Sequence, residues 1–270
     1  MRHPIDNRIH VSELKAFAKS PAHYAYACSE ARTVTRPMRV GAVADALVFG
    51  DRGYAVYPGK SRNGKEWETW EAANAGRIMC IQSEFDDAAG AARAVLSDPV
   101  AAALLEGGQY QLALQWDAYG LPMAAGIPGV RGGVDLVGPG RKLTDGEPFV
   151  ADLKITDSEP FALARHAWKM MWHAQLAAYL DACEALGVDA GGGFTPRRGY
   201  IIACEPNPPH VVTVLPVSAK AIDHGRKSLH VWAERLRQCE RDDRWPGYVD
   251  GMADEMWVPE WERGEEEDIT

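Results

Sequence analysis

The sequence predicts an α/β (α+β) fold with a mixed β-sheet flanked by helices. Three observations carry that expectation. The first hundred or so residues are Ala-rich and read as helices. From Tyr110 onward, apolar residues alternate or gather in short β-branched runs bounded by Gly and Pro, as strands do. A long helical pattern then falls between the third and fourth strand patterns. A helix in that place lets the flanking strands lie parallel while hairpins keep the others antiparallel.

The elements follow in order along the chain. Ser12 stands before Glu13-Leu14-Lys15-Ala16-Phe17-Ala18-Lys19 as an N-cap, and Ser20-Pro21 either ends that turn or starts the next helix, over residues 22–30. Residues 40–49 form an apolar helix opened by Gly41, and 66–76 and 82–104 are further helices. Strands follow at 110–116, 129–137 and 148–155, the first turned by Tyr119-Gly120. Asp157-Ser158-Glu159-Pro160 starts a helix running to about Ala185, since Pro suits the first turn and Asp or Ser can cap it. A Gly/Pro-rich loop at 191–196 leads to strands at 199–204 and 211–217, and Ser218 to Cys239 is a closing helix. No internal repeat or long linker divides the chain, so residues 1–250 read as one domain, with a helical part over 1–105, a core over 106–250 and an acidic tail over 251–270.

Composition narrows the function classes. At 270 residues and 46% hydrophobic, the chain can bury a core without disulfides or a structural metal. No apolar run is long enough to span a bilayer and the N-terminus lacks an apolar signal core, so no membrane is expected and the location expected is the cytoplasm. Five scattered cysteines without a CxxC pair argue against a zinc site or a disulfide framework. The net charge of −9 opposes nucleic-acid binding at first sight, but residues 251–270 carry −7 of it, leaving −2 for the rest. That tail reads as a solvated segment.

The informative stretch is Gly132-Gly133-Val134-Asp135-Leu136-Val137 followed by Phe149-Val150-Ala151-Asp152-Leu153-Lys154-Ile155. Asp152 and Lys154 are two apart in a strand and share a face with Val150, while Ala151, Leu153 and Ile155 point the other way. Asp135 sits mid-strand in the neighbouring run. An isolated D-x-K is usually a surface ion pair, but charges inside apolar strands are seldom idle. Two converging carboxylates are unfavourable without a cation between them, and magnesium suits one or two carboxylates. On the next helix, Gln175 and Tyr179 are spaced i, i+4 and share a face. Arg165, Lys169 and His173 lie near one stripe of that helix.

Taken together these residues resemble the RecE-like exonucleases of the PD-(D/E)xK nuclease superfamily, found in phages and prophages. The likeness runs through "VSELKAFAKSPAHYAY", "MRVGAVADALVFG", "GKEWETWEAANAG", "GGVDLVG…FVADLKIT", "HAQLAAYLDA" and "WPGYVDG…WVPEW", in order and over most of the chain. It implies a restriction-endonuclease-like core. It implies Mg2+ (or Mn2+) held by Asp135 and Asp152, catalysis by Asp135, Asp152 and Lys154, and supporting or DNA-binding roles for Gln175 and Tyr179. Asp45 stands where the family often has a metal-binding histidine, and Gln111 where it often has an acid. Asp45 suits a hard cation and Gln111 could contribute a carbonyl oxygen.

The resemblance further implies digestion of linear double-stranded DNA from its ends, 5′ to 3′. The resulting 3′ overhang would serve a single-strand annealing protein, and the nuclease would act as a homo-oligomer. The alternatives are a catalytically weakened DNA-binding or assembly protein of this fold, to which Asp45 and Gln111 point, and a RecB-like nuclease module of a repair complex. The latter would need a motor partner, because this chain has no phosphate-binding Gly-x-x-x-x-Gly-Lys-Ser/Thr loop.

Overall fold

The computed structural model describes residues 9–29, 33–50, 52–119, 129–157 and 160–248. Its main sheet is built around β5 (Val130–Gly138). β4 (Gln109–Trp116) runs antiparallel along one edge of it, from Trp116 opposite Val130 to Gln109 opposite Val137. The other edge is shared. β6 (Phe149–Ile155) pairs antiparallel with Leu136–Gly138, and β1 (Ile9–His10) pairs parallel with Val130 and Arg131. Between these two partners, β5 residues 132–135 face a gap in the ladder. β7 (Arg198–Cys204) continues the sheet parallel to β6, and β8 (Val212–Val217) lies antiparallel to β7. The sheet is mixed, and helices cover both of its faces, as the alternation of strands and helices predicted.

The two faces bury different partners because successive side chains alternate. Val150, Val134 and Ile201 pack against α8 (Trp172–Leu186), over which α9 (Ala219–Asp242) lies. The same cluster takes in Val11, Leu14, Phe17 and Tyr24 from α1 (Val11–Leu14), a 3₁₀ turn (Lys15–Ala18) and α2 (Pro21–Ser29). Ala151, Leu153, Tyr200 and Ile202 face the opposite way, onto Ala91 and Val95 of α5 (Gln82–Ser97) and Leu104 of α6 (Pro99–Leu105). α3 (Arg36–Phe49) packs on α5 through Val40, Val43, Ala44 and Ala88. That contact is pinned by Glu84, buried in α5, which accepts from Arg39 Nε at 2.9 Å and from the Ile81 amide at 3.1 Å and also pairs with Arg62. Burial alone would raise the Glu84 pKa, but these donors outweigh it and hold the carboxyl below the usual range.

Several local expectations need correction. α1 is capped by His10, whose Nδ1 accepts the Ser12 amide at 3.2 Å while Glu13 reaches back to the His10 amide at 2.9 Å, so Ser12 is not the cap. α3 starts four residues earlier than read, because Pro37 fits a first turn. The 82–104 helix breaks at Asp98, which caps α6 through the amides of Val100 and Ala101. The helix read from 157 to about 185 is two, α7 (Pro160–Lys169) and α8, split where Met171 turns left-handed at φ 55°. The break also dissolves the expected stripe. Arg165 and Lys169 stay exposed while His173 turns inward to 4% exposure.

A second, parallel sheet of β2 (Tyr54–Tyr57) and β3 (Ile78–Ile81), joined by α4 (Gly64–Ala73), was not anticipated. Four-residue strands between helices give too little periodicity to read. The expected turn at Gly120, the Ser158 cap and the acidic tail lie outside the described residues.

Gly225 sets how closely α9 approaches α8. A Cβ there would lie 2.8 Å from both Ala174 Cα and the His173 carbonyl oxygen. Gly225→Ala must therefore push α8 away, and overpacking of this kind costs about 1–3 kcal/mol. Thermal melting of this variant should show a fall of several degrees, and an unchanged midpoint would mean the two helices slide freely.

Candidate active site

The gap in the β5 ladder is where the charged side chains meet. Extending the Leu136–Ala151 and Val137–Val150 pairing by one residue sets Asp135 opposite Asp152. The strands part there, and Asp135 Oδ2 takes up the Leu153 amide at 2.9 Å. Asp152 is 2% exposed. Its Oδ1 accepts from Gln175 Nε2 at 3.2 Å, and its Oδ2 is buried in an ion pair with the Lys154 ammonium.

The electrostatics follow from this crowding. Burial first, and then the Asp152 charge, push the Asp135 carboxyl well above the usual carboxylate range, and Asp45 adds to the effect. Burial opposes the charge on Lys154, but Asp152, Asp135 and Asp45 outweigh it and hold the ammonium above its ordinary pKa. Asp45, on α3, thus acts on the centre through its field. Among the described residues no group of three or more His, Cys, Asp or Glu side chains stands close enough to hold a metal ion. Asp135 and Asp152 are the near pair, and Asp45 acts electrostatically on Asp135 and Lys154.

Gln175 links the centre to two elements. Its Nε2 donates to Asp152 Oδ1 and, at 2.7 Å, to Tyr179 Oη, while its Oε1 accepts from Lys15 Nζ at 3.0 Å. Tyr179 is buried, and burial together with Asp152 keeps its phenol protonated. Its ring lies against β5 where a Cβ on Gly132 would come within 3.0 Å of Cε1, so glycine there leaves room for the aromatic.

On the other side, Gln111 stands in β4 with a left-handed φ of 52°, a conformation that costs a non-glycine residue about 1–3 kcal/mol. Its Nε2 donates to Asp135 Oδ1 at 3.3 Å and its Oε1 accepts from Arg52 Nη2 at 3.0 Å. In this arrangement the Gln111 carbonyl oxygen faces Arg52 rather than the centre.

The structure therefore brings together Asp135, Asp152, Lys154, Gln175, Tyr179 and Gln111. Lys15 and Arg52 were missed as site residues. Lys15 belongs to the Ser-x-Leu-Lys segment that carries part of the resemblance, and that was its available signal. Arg52 had none, because only the fold brings it to Gln111.

The donor set fits a hard divalent cation. Asp135 and Asp152 offer the carboxylate oxygens that such an ion takes, and Asp45 adds its charge to theirs. The buried Asp152 Oδ2 is held by the Lys154 ammonium, so an oxygen-seeking ion would share that oxygen with Lys154.

No protein-family model matches the sequence, and no curated protein matches it. Among solved structures, the chain is similar to a crystal structure from Eubacterium rectale provisionally named an exonuclease, with a TM-score of 0.60 and 12% identity over 93% of this chain and 91% of that one. At that identity the likeness concerns the fold, which the two chains share over nearly their whole lengths. No single helix among the described residues is long and apolar enough to cross a membrane.

The raised Asp135 pKa has a thermodynamic consequence with a definite sign. A carboxyl whose pKa is higher folded than unfolded stabilises the fold below the unfolded value, and that stability is lost as pH rises through the folded value. A cation that binds the carboxylates reverses the loss. Melting curves should show Mg2+ raising the midpoint by several degrees at pH 8 and hardly at all at pH 5, relative to chelator. Equal midpoints with Mg2+ and chelator at pH 8 would show that the pair takes no cation.

Proposed function

We propose that this protein is a magnesium-dependent exodeoxyribonuclease that hydrolyses linear double-stranded DNA from its ends. The observation that carries the reading is the pairing of Asp135 with Asp152 across a break in the ladder, with Lys154 beside them. Asp135 and Asp152 would hold Mg2+ (Mn2+ in its place), with Asp45 adding negative potential. When bound, the ion would polarise the scissile phosphate and lower the pKa of a water.

The chain's own residues supply the rest. Lys154, kept cationic by its neighbours, orients the attacking water and balances charge growing on the phosphoryl oxygens. Gln175 fixes the rotamer of Asp152 and, through Lys15, ties it to the N-terminal turn. Tyr179 accepts from Gln175 and retains its own proton to donate. Exonuclease provisionally names the Eubacterium rectale structure too. The sequence resemblance supplies the remaining features: 5′ to 3′ polarity, 3′ overhangs passed to a single-strand annealing protein in recombination, and a homo-oligomeric enzyme.

A second reading, a DNA-binding protein of this fold that has lost cleavage, is favoured by Gln111. Where the family often has an acid, this amide donates to Asp135 and weakens its hold on a cation.

Linear duplex DNA labelled at either end, incubated with Mg2+ or chelator, distinguishes the two. Wild type with Mg2+ should release nucleotides and spare circular DNA, with the labels giving the polarity. Lys154→Ala should cut at least about 100-fold more slowly, as loss of one charge-stabilising group does, and Asp152→Asn should not cut measurably. Binding without cleavage by wild type under every metal would establish the second reading. In that case Gln111→Glu should restore cleavage.

A further inference from the structure

We infer that Trp168 is a stacking platform for a nucleobase of the DNA strand whose phosphate enters the centre. The inference rests on the nuclease reading above and places part of its substrate. Trp168, in the last turn of α7, is 47% exposed, whereas four of the seven tryptophans among the described residues are buried. Its ring is not loose. One face lies flat on the buried His173 imidazole, with centroids 4.1 Å apart and planes 9° from parallel, and His224 packs at 4.8 Å. His173 is itself held by His224, whose Nδ1 lies 3.3 Å from the His173 Nε2. An indole with one face on a fixed, coplanar ring presents its other face ready to receive a second flat ring, and its order is already established by packing.

A further feature selects a nucleobase over other flat partners. Arg165, Trp168 and Lys169 are spaced i, i+3, i+4, so the exposed ring stands on one helix face with two exposed cations. An aromatic surface flanked by cations is the chemistry that holds single-stranded nucleic acid, with the base on the ring and the phosphates on the charges.

The platform is also coupled to the centre. Two residues after Trp168, the Met170 carbonyl accepts from Lys15 Nζ at 3.5 Å. The same Nζ donates to Gln175 Oε1, and Gln175 Nε2 donates to Asp152 Oδ1. Only two side chains, Lys15 and Gln175, thus separate the α7–α8 corner from the carboxylate pair.

The test is binding of a labelled single-stranded oligonucleotide in chelator, by fluorescence anisotropy, alongside cleavage of duplex DNA in Mg2+. Trp168→Ala should weaken binding roughly 5- to 100-fold, and Trp168→Phe should recover most of the loss. Oligonucleotides with one abasic site, moved along the strand, should show wild type losing affinity at one position. At that position Trp168→Ala should lose nothing more. Its circular dichroism should match wild type, and a misfolded Trp168→Ala transfers the test to Trp168→Leu, read in the same way.

Fully additive losses, or unchanged binding by Trp168→Ala, would overturn the inference. Unchanged DNA binding with an altered sedimentation coefficient would reassign the patch to protein contact. Wild type that binds but never cuts defeats the hydrolytic reading while leaving the stacking result to stand on its own. Wild type that does neither defeats both.

Discussion

Two carboxylates facing each other on adjacent strands repel, and much of this structure is arranged around that repulsion. At the roughly 5 Å typical of opposed side chains, and with an effective dielectric of about 20, the cost is about 3 kcal/mol. The chain meets it in three ways. Lys154, two residues from Asp152 on the same strand face, brings a cation with no extra chain length. The Leu153 amide and Gln111 donate to Asp135, and Gln175 donates to Asp152. What remains is expressed as the raised Asp135 pKa. A fold selected for stability alone would place apolar residues at both positions, since breaking up a buried charge cluster in favour of hydrophobic packing is often stabilising. Keeping the charges makes sense where a divalent ion completes the set.

The gap in the sheet gives that arrangement its geometry. If β6 followed β5 along its full length, Asp135 and Asp152 would project from a continuous ladder and the Leu153 amide would be consumed by a backbone carbonyl. Because β6 departs after Leu136 and β1 takes the far end of the same edge, the amide is left for the Asp135 carboxylate. The glycines at 132 and 133 fall inside this gap, and the first of them makes room for Tyr179. The break, the small residues and the aromatic that seats on them therefore form one device, and it locates the carboxylates relative to α8.

Much of the centre was legible in the sequence because its signals were local. A strand alternates with period two, so Asp152 and Lys154 on one face and Leu153 on the other could be read directly, and the packing of Val150 and Leu153 on opposite clusters follows that pattern. A helix repeats every 3.6 residues, so Gln175 and Tyr179 could be paired, and they do share a hydrogen bond. What could not be read depended on contacts distant in sequence. His173 looked like a member of a basic stripe until the left-handed Met171 split the helix and turned its ring under Trp168. Arg52 reaches Gln111 across 59 residues and Lys15 reaches Gln175 across 160. The small β2–β3 sheet was invisible because strands that short carry no periodicity.

The two glutamines show how the same side chain can serve opposite ends. Gln175 sits on a regular helix, with its Oε1 on a lysine and its Nε2 on Asp152. Gln111 sits at a positive φ in the middle of a strand, with its Oε1 on an arginine and its Nε2 on Asp135. Each carboxylate of the pair is thus gripped by an amide that is in turn anchored by a cation from another part of the chain: Lys15 from the N-terminal turn, Arg52 from the segment after α3. A carboxylate that only needed neutralising could have met those cations directly. Interposing an amide fixes the orientation of each carboxylate, while the charge itself is met by Lys154 beside Asp152 and by the raised pKa of Asp135.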